Sequence, residues 1–241
     1  MTIIETLCLN NLAVEHLQNG QFKNAIKQLR LALDGVKLFL RENVLAASSR
    51  ERLRRDAAME MDLHAQQQQT ISAEVVSIMG NDHSTNVLPL FCKAFRIQPN
   101  TASDPLFFKD ARRPSFLVGA ILFNLSVAYH CRGACNKVQD LSNALKLYNV
   151  ALSMLQNELS DDTLPTSGES AILLMAILNN IASIHAHSFD AKKALLYLNC
   201  LRDVVVQYCG LASNAAFREQ YSFFESNVLV TDASFHLAPV A

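Results

Sequence analysis

The sequence predicts an all-α protein built of antiparallel helix pairs, and three observations carry that expectation. The 241 residues are 50% apolar and 18% charged with a formal net charge of −1, a balance that excludes intrinsic disorder and suits one compact domain over 1–241. Only 7 Gly and 6 Pro are present, and Pro89, Pro99, Pro105 and Pro114 crowd into one stretch, which leaves the flanks free for long helices. A short pattern also recurs three times, as expected of an array of repeated helix pairs.

The recurrence starts at Leu9, Leu122 and Leu178. An aliphatic residue returns three positions later at Leu12, Leu125 and Ile181, a small residue follows at Ala13, Ser126 and Ala182, and a ring follows at His16, Tyr129 and His185. An Asn precedes the second aliphatic each time, at Asn11, Asn124 and Asn180. A second helix then begins in each unit, with Ala25 and Leu29, Ala144 and Tyr148, and Ala194 and Leu198 four apart on one face. Turn and cap signals separate the helices at Asn19-Gly20, around Asp140 to Ser142, and at Asp190. The units span about 6–38, 118–157 and 174–209.

The remaining elements follow in order. Phe39 to about Leu63 continues the first unit's second helix, its five arginines offset by five acids as a solvated surface. Residues 66–69 form a polar Gln tract, a loop within an insertion over about 39–115. Inside that insertion LPLFCKAFRIQP, from Leu88, reads as an extended segment or half of a short β-hairpin that must bury its apolar face. Phe217 to Val230 predicts a helix closing the open end of the array, within a cap and tail over 214–241. The apolar tail from Ser234 is expected to dock back or pair beside Leu88 to Ile97.

These residues resemble the tetratricopeptide repeat family, whose unit is W-x2-L-G-x2-Y…A-x3-F…P over 34 residues. The likeness covers about 100 of the 241 residues, and the first unit, with Phe22, Ala25 and Ala32, matches best. The opening Trp and closing Pro are missing, and Ala13, Ser126 and Ala182 replace the family's Gly. The overall layout also resembles a set of algal proteins related to these repeats, which brings no activity with it. The resemblance implies a superhelical array with a concave groove lined by the first helix of each pair.

Enzyme chemistry is not expected. No two of the seven glycines lie within ten residues of each other, so neither a phosphate-cradling loop nor a dinucleotide fingerprint exists. Cys131 and Cys135 have the spacing of half a zinc site, but no second pair answers them. His130 reads as the end of a repeat helix, His185 as a ring-position residue and His187 as an exposed one, and no catalytic, metal or cofactor-binding residue is assigned. The balance of 21 basic against 22 acidic side chains gives no field for nucleic acid. The uncharged strings Pro114 to Tyr129 and Ser170 to Ile184 carry Asn124, Asn179 and Asn180, so they read as buried helices of a cytoplasmic protein instead of membrane spans.

By the resemblance, the groove would be read out by Asn10, Val14 and Leu17, by Phe123, Val127 and His130, and by Asn179, Ser183 and His187. No Lys or Arg stands among these, and Val14 and Phe123 occupy places where carboxylate-clamping polar groups would be needed, which disfavours the acidic C-termini of chaperones. The expected function is a non-catalytic protein-interaction module or scaffold. Its apolar groove takes a partner peptide or the chain's own 88–97 segment. The alternative is an all-α enzyme or small-ligand protein with a pocket between groove and insertion.

Overall fold

The computed structural model describes residues 1–56, 72–78, 88–98, 112–134, 138–159 and 168–235. Among these the chain is mostly helical: α1 (Ile3–Gln18), α2 (Phe22–Asp56), α3 (Arg112–Ala134), α4 (Val138–Leu159), α5 (Gly168–His187), α6 (Ala191–Gln207) and α7 (Arg218–Phe235). A short 3-10 turn, Cys209–Ser213, precedes α7, and one hairpin pairs β1 (Ser72–Ser77) with β2 (Lys93–Gln98). The Gln tract, Cys135, the connector from Ser160 and the tail from His236 lie outside the described residues.

Local signals set the helix boundaries. Thr2 and Glu5 form a reciprocal capping box at the start of α1, with Glu5 N–H donating to Thr2 Oγ1 at 3.2 Å and Thr2 N–H to Glu5 Oε2 at 2.7 Å. Asp190 caps α6 by accepting from Lys193 N–H at 3.2 Å. Helices α1 and α2, α3 and α4, and α5 and α6 pack along one another. The small residues Ala13, Ser126 and Ala182 on the first helices, and Ala25, Ala144 and Ala194 on the second, are fully buried, which permits close approach of the backbones. Arg132 on α3 grips Asp140 on α4 with two bonds of 2.7 Å, clamping the second pair at one end.

Helices α3 and α5 have stretches, Ser115–Ala134 and Gly168–His187, that are long and apolar enough to cross a membrane by length and composition. They are 94% and 78% buried inside the protein, and that central position accounts for their lack of charge.

The turns of the first and third pairs differ in one revealing way. Gly20 has φ 67° and Phe189, at the equivalent place seven residues beyond the small position, has φ 57°. Glycine adopts this left-handed conformation freely, whereas a side chain there costs about 1 kcal/mol. The Phe189 ring is 96% exposed and recovers little of that cost by burial. Phe189→Gly is therefore expected to stabilise the protein by about 0.5–1 kcal/mol, visible as a Tm raised by about 1–3 °C. A lowered Tm would mean the ring makes a contact that its exposure does not reveal.

The strand that pairs with the 88–97 region is Ser72–Ser77, antiparallel, with Ala73 opposite Ile97 and Val75 opposite Phe95, so the segment is half of a short β-hairpin; the tail from His236, expected to dock back or pair beside it, lies outside the described residues. Both strands come from the insertion. Beyond the strand, residues 88–92 continue as extended chain.

Candidate functional site

The segment from Leu88 to Ile97 lies across α1, α3, α5 and α7, its buried side chains sunk among theirs. Phe91 is 1% exposed and meets Phe224 at 4.8 Å, Phe223 at 5.4 Å and Phe123 at 6.4 Å between ring centroids. Phe95 is fully buried and stands edge-on to Phe123 at 5.3 Å. Ala94 and Ile97 are fully buried as well.

The backbone of this segment is held by asparagine side chains. Ile78 N–H donates to Cys92 C=O at 3.1 Å. The alternation of an antiparallel pair then turns the amide groups of residues 93, 95 and 97 away from β1, towards the helices. On that side Asn11 Oδ1 accepts from Ile97 N–H at 3.0 Å while its Nδ2 donates to Ile97 C=O at 2.8 Å. Asn124 does the same to Phe95, at 2.8 Å in both directions. Asn180 does the same to Phe91, at 2.9 Å and 3.3 Å. A carboxamide carries both a donor and an acceptor, so each Asn replaces one residue of a missing third strand.

A second tier repeats the arrangement one position earlier in the helices. Asn10 donates to Phe95 C=O at 3.1 Å, and Asn179 donates to Pro89 C=O at 3.0 Å. Each thus reaches the carbonyl two residues before the one its neighbour clamps. In the second unit this position is Phe123, which packs against the segment's rings instead. The remaining acceptors are met across helices: Asn124 Nδ2 donates to Asn10 Oδ1 at 3.0 Å, and Asn227 of α7 donates to Asn179 Oδ1 at 2.8 Å. Asn227 also reaches Pro89 C=O at 3.5 Å, so α7 supplies the rung that a fourth unit would have supplied. Ser183 Oγ donates to Leu88 C=O at 3.3 Å, and Tyr148 O–H accepts from Asn180 at 3.0 Å.

The residues singled out from the sequence divide into three groups. Asn10, Asn179 and Ser183 touch the segment's backbone. Val14, Leu17, Phe123 and Val127 are fully buried core residues, so as the molecule stands they offer no open surface. His130 is 5% exposed beneath the Tyr148 ring, and His187 is exposed at the end of α5. The principal clamps Asn11, Asn124 and Asn180 were visible as the recurrent Asn of the repeat but lie one position away from those the resemblance selected. Asn227 had no repeat pattern to reveal it. The described residues contain no group of three or more His, Cys, Asp or Glu that could hold a metal.

His130 gives the region a pH signature. Its Nδ1 has no hydrogen-bond partner among the described residues, and burial, helped by the charge of His187, lowers its pKa from 6.5 to about 3. The unfolded chain therefore takes up a proton near pH 6.5 that the folded chain refuses until about pH 3. Stability is complete above that window and falls as pH drops through it. Acidification from pH 7 to 4.5 is expected to cost on the order of 2–3 kcal/mol from this group alone. Denaturant titrations of wild type and His130→Met should show that part of the slope disappearing in the variant. His185, lowered chiefly by burial and opposed by Asp190 at 3.8 Å, acts in the same direction. No family model matches the chain, and neither a curated protein nor a solved structure matches it.

Proposed function

We propose that the protein is a non-catalytic interaction module of tetratricopeptide-like helix pairs. Its asparagine ladder holds an extended peptide, which is residues 88–97 in the resting chain and a partner's segment when these leave. The observation supporting this reading is the bidentate capture of Ile97, Phe95 and Phe91 by Asn11, Asn124 and Asn180. Such a clamp reads the N–H and C=O common to every residue, so it accepts any extended chain whose large apolar side chains fall where Phe91 and Phe95 do. The ladder carries no Lys or Arg, which fits a neutral, apolar partner peptide better than an acidic terminus or nucleic acid.

The test uses the full chain carrying Phe91→Ala, which weakens the resident segment, and a labelled peptide of residues 88–98 carrying Cys92→Ser. Saturable binding near about 10 µM, lost when Asn180→Leu is added, is the expected result. A folded Phe91→Ala chain that ignores the peptide, measured alongside wild type at high peptide concentration, would remove the proposal.

A further inference from the structure

The first and second helix pairs meet at a cavity that the asparagine ladder does not use. It has a volume of about 250 Å³ and is lined by Arg30 of α2, Leu125 and Tyr129 of α3, and Asn143, Lys146 and Leu147 of α4. Clefts that enclose drug-sized molecules measure about 300–1,000 Å³, so this one suits a small group.

Its charge is one-sided. No carboxylate lines it, and neither Arg30 nor Lys146 makes an ion pair among the described residues. The contrast with Arg132 is direct. The Arg132 guanidinium stands 5.2 Å from the centroid of the Tyr129 ring, and Asp140 meets its charge with two bonds. Arg30 stands 5.8 Å from the same centroid, so two guanidiniums share one ring while only one of them has a carboxylate. The uncompensated charge of Arg30 and Lys146 is local, because the chain as a whole carries −1.

The hydrogen-bond donors converge on the same place. Tyr129 is 4% exposed, and its oxygen accepts from Arg30 Nη2. Arginine only donates, so the tyrosine's own hydrogen points elsewhere, and no acceptor for it stands among the described residues. Asn143 Oδ1 accepts from Gln139 Nε2 at 3.4 Å, which leaves Asn143 Nδ2 as the open donor.

We propose that this cavity binds a phosphate dianion, free or as the end of a monoester, held by Arg30 and Lys146 with Tyr129 O–H as the buried donor. The double negative charge matches the two unpaired cations, whereas a single carboxylate leaves one unmatched. The guanidinium fork takes two phosphate oxygens and the ammonium adds a point charge. Arg30 belongs to the first pair and Lys146 to the second, so the bound anion ties the pairs together. The site is independent of the ladder.

The experiment titrates inorganic phosphate into the full chain at about pH 8, where a phosphate group is dianionic, and reads phosphorus NMR. Saturable binding with Kd on the order of 1 mM is expected, weakened at least about tenfold in Lys146→Gln and in Arg30→Gln. Lys146 is exposed and makes no hydrogen bond or ion pair among the described residues, so its variant keeps the fold. Lys192→Gln, which removes an exposed lysine of α6 away from the cavity, should bind as the wild type does. With phosphate at ten times Kd, the wild-type Tm should rise by about 3–5 °C, and that of Lys146→Gln by less than half as much. Methyl phosphate separates the two sources: affinity equal to that of inorganic phosphate supports a site that takes a monoester, and its exclusion supports a site for free phosphate. Absence of saturable binding, an affinity unchanged in Lys146→Gln, an equal loss in Lys192→Gln, or acetate bound as tightly as phosphate would each overturn the proposal.

Discussion

Asn124→Leu is expected to destabilise the protein by about 2–6 kcal/mol. The exchange hardly alters side-chain volume, so packing changes little and the loss reports the hydrogen bonds. Two partners are stranded, Phe95 N–H and Asn10 Oδ1, while Phe95 C=O keeps the bond from Asn10 Nδ2. Asn124 and Asn10 are fully buried, so water does not replace the missing group, and each stranded polar atom carries a desolvation cost of about 1–3 kcal/mol. Asn11→Leu removes a similar clamp from Ile97, but Asn11 is half-buried. Water can then re-pair part of what is lost, and about 1–2 kcal/mol is expected. Urea midpoints of the two variants should preserve this order. An Asn124→Leu cost under about 1 kcal/mol would mean that the ladder contributes little to holding the segment.

Phe91→Ala should cost about 3–5 kcal/mol through the cavity left among three neighbouring rings. Tilted ring contacts to Phe224, Phe223 and Phe123 are all lost together. Because the neighbours come from α3 and α7, collapse around the vacancy requires two helices to move, which keeps the cost high. Its location distinguishes it from general destabilisation. Amide exchange across 88–98 should rise before that of α1 and α2, whose contact is made of Ala13, Leu17, Ala25 and Leu29, among other residues outside the vacancy. Uniform acceleration over the whole chain would show that the segment and the helix pairs open as one unit.

The helices were legible because their information is local. The recurrence of Leu9, Leu12 and Ala13, and of its two later copies, marks a buried stripe at helical spacing, and Asp190 and Gly20 mark boundaries through capping and φ. The apolar segment from Leu88 was legible as something needing cover, since Phe91, Phe95 and Ile97 do not fit the pattern of any neighbouring helix. Its strand partner was not, because Ser72–Ser77 is six residues long and the turn-type residues after it, Gly80, Asn81 and Asp82, do not state which strands they join. The Asn recurrence was plain, but its role was hidden, because a polar residue within a helix does not state which neighbour will occupy the space before it. The groove positions inferred from resemblance fell partly on Val14, Leu17 and Val127, which the protein's own core absorbs.

The sequence by itself determined the helical character, the small residues at the helix contacts and the presence of a polar residue at one repeated place in otherwise apolar helices. Only the tertiary structure decided that those asparagines face one extended segment 29 to 89 residues away in the chain, and that Asn227 of α7 completes their row. The physical reason lies in what the amides recognise. Helix periodicity and packing volume are written in side chains and can be read locally, whereas a carboxamide that clamps backbone N–H and C=O has a partner every residue possesses. Such a contact leaves no complementary mark in the sequence, and it is chosen only when the fold brings one particular extended segment to the row.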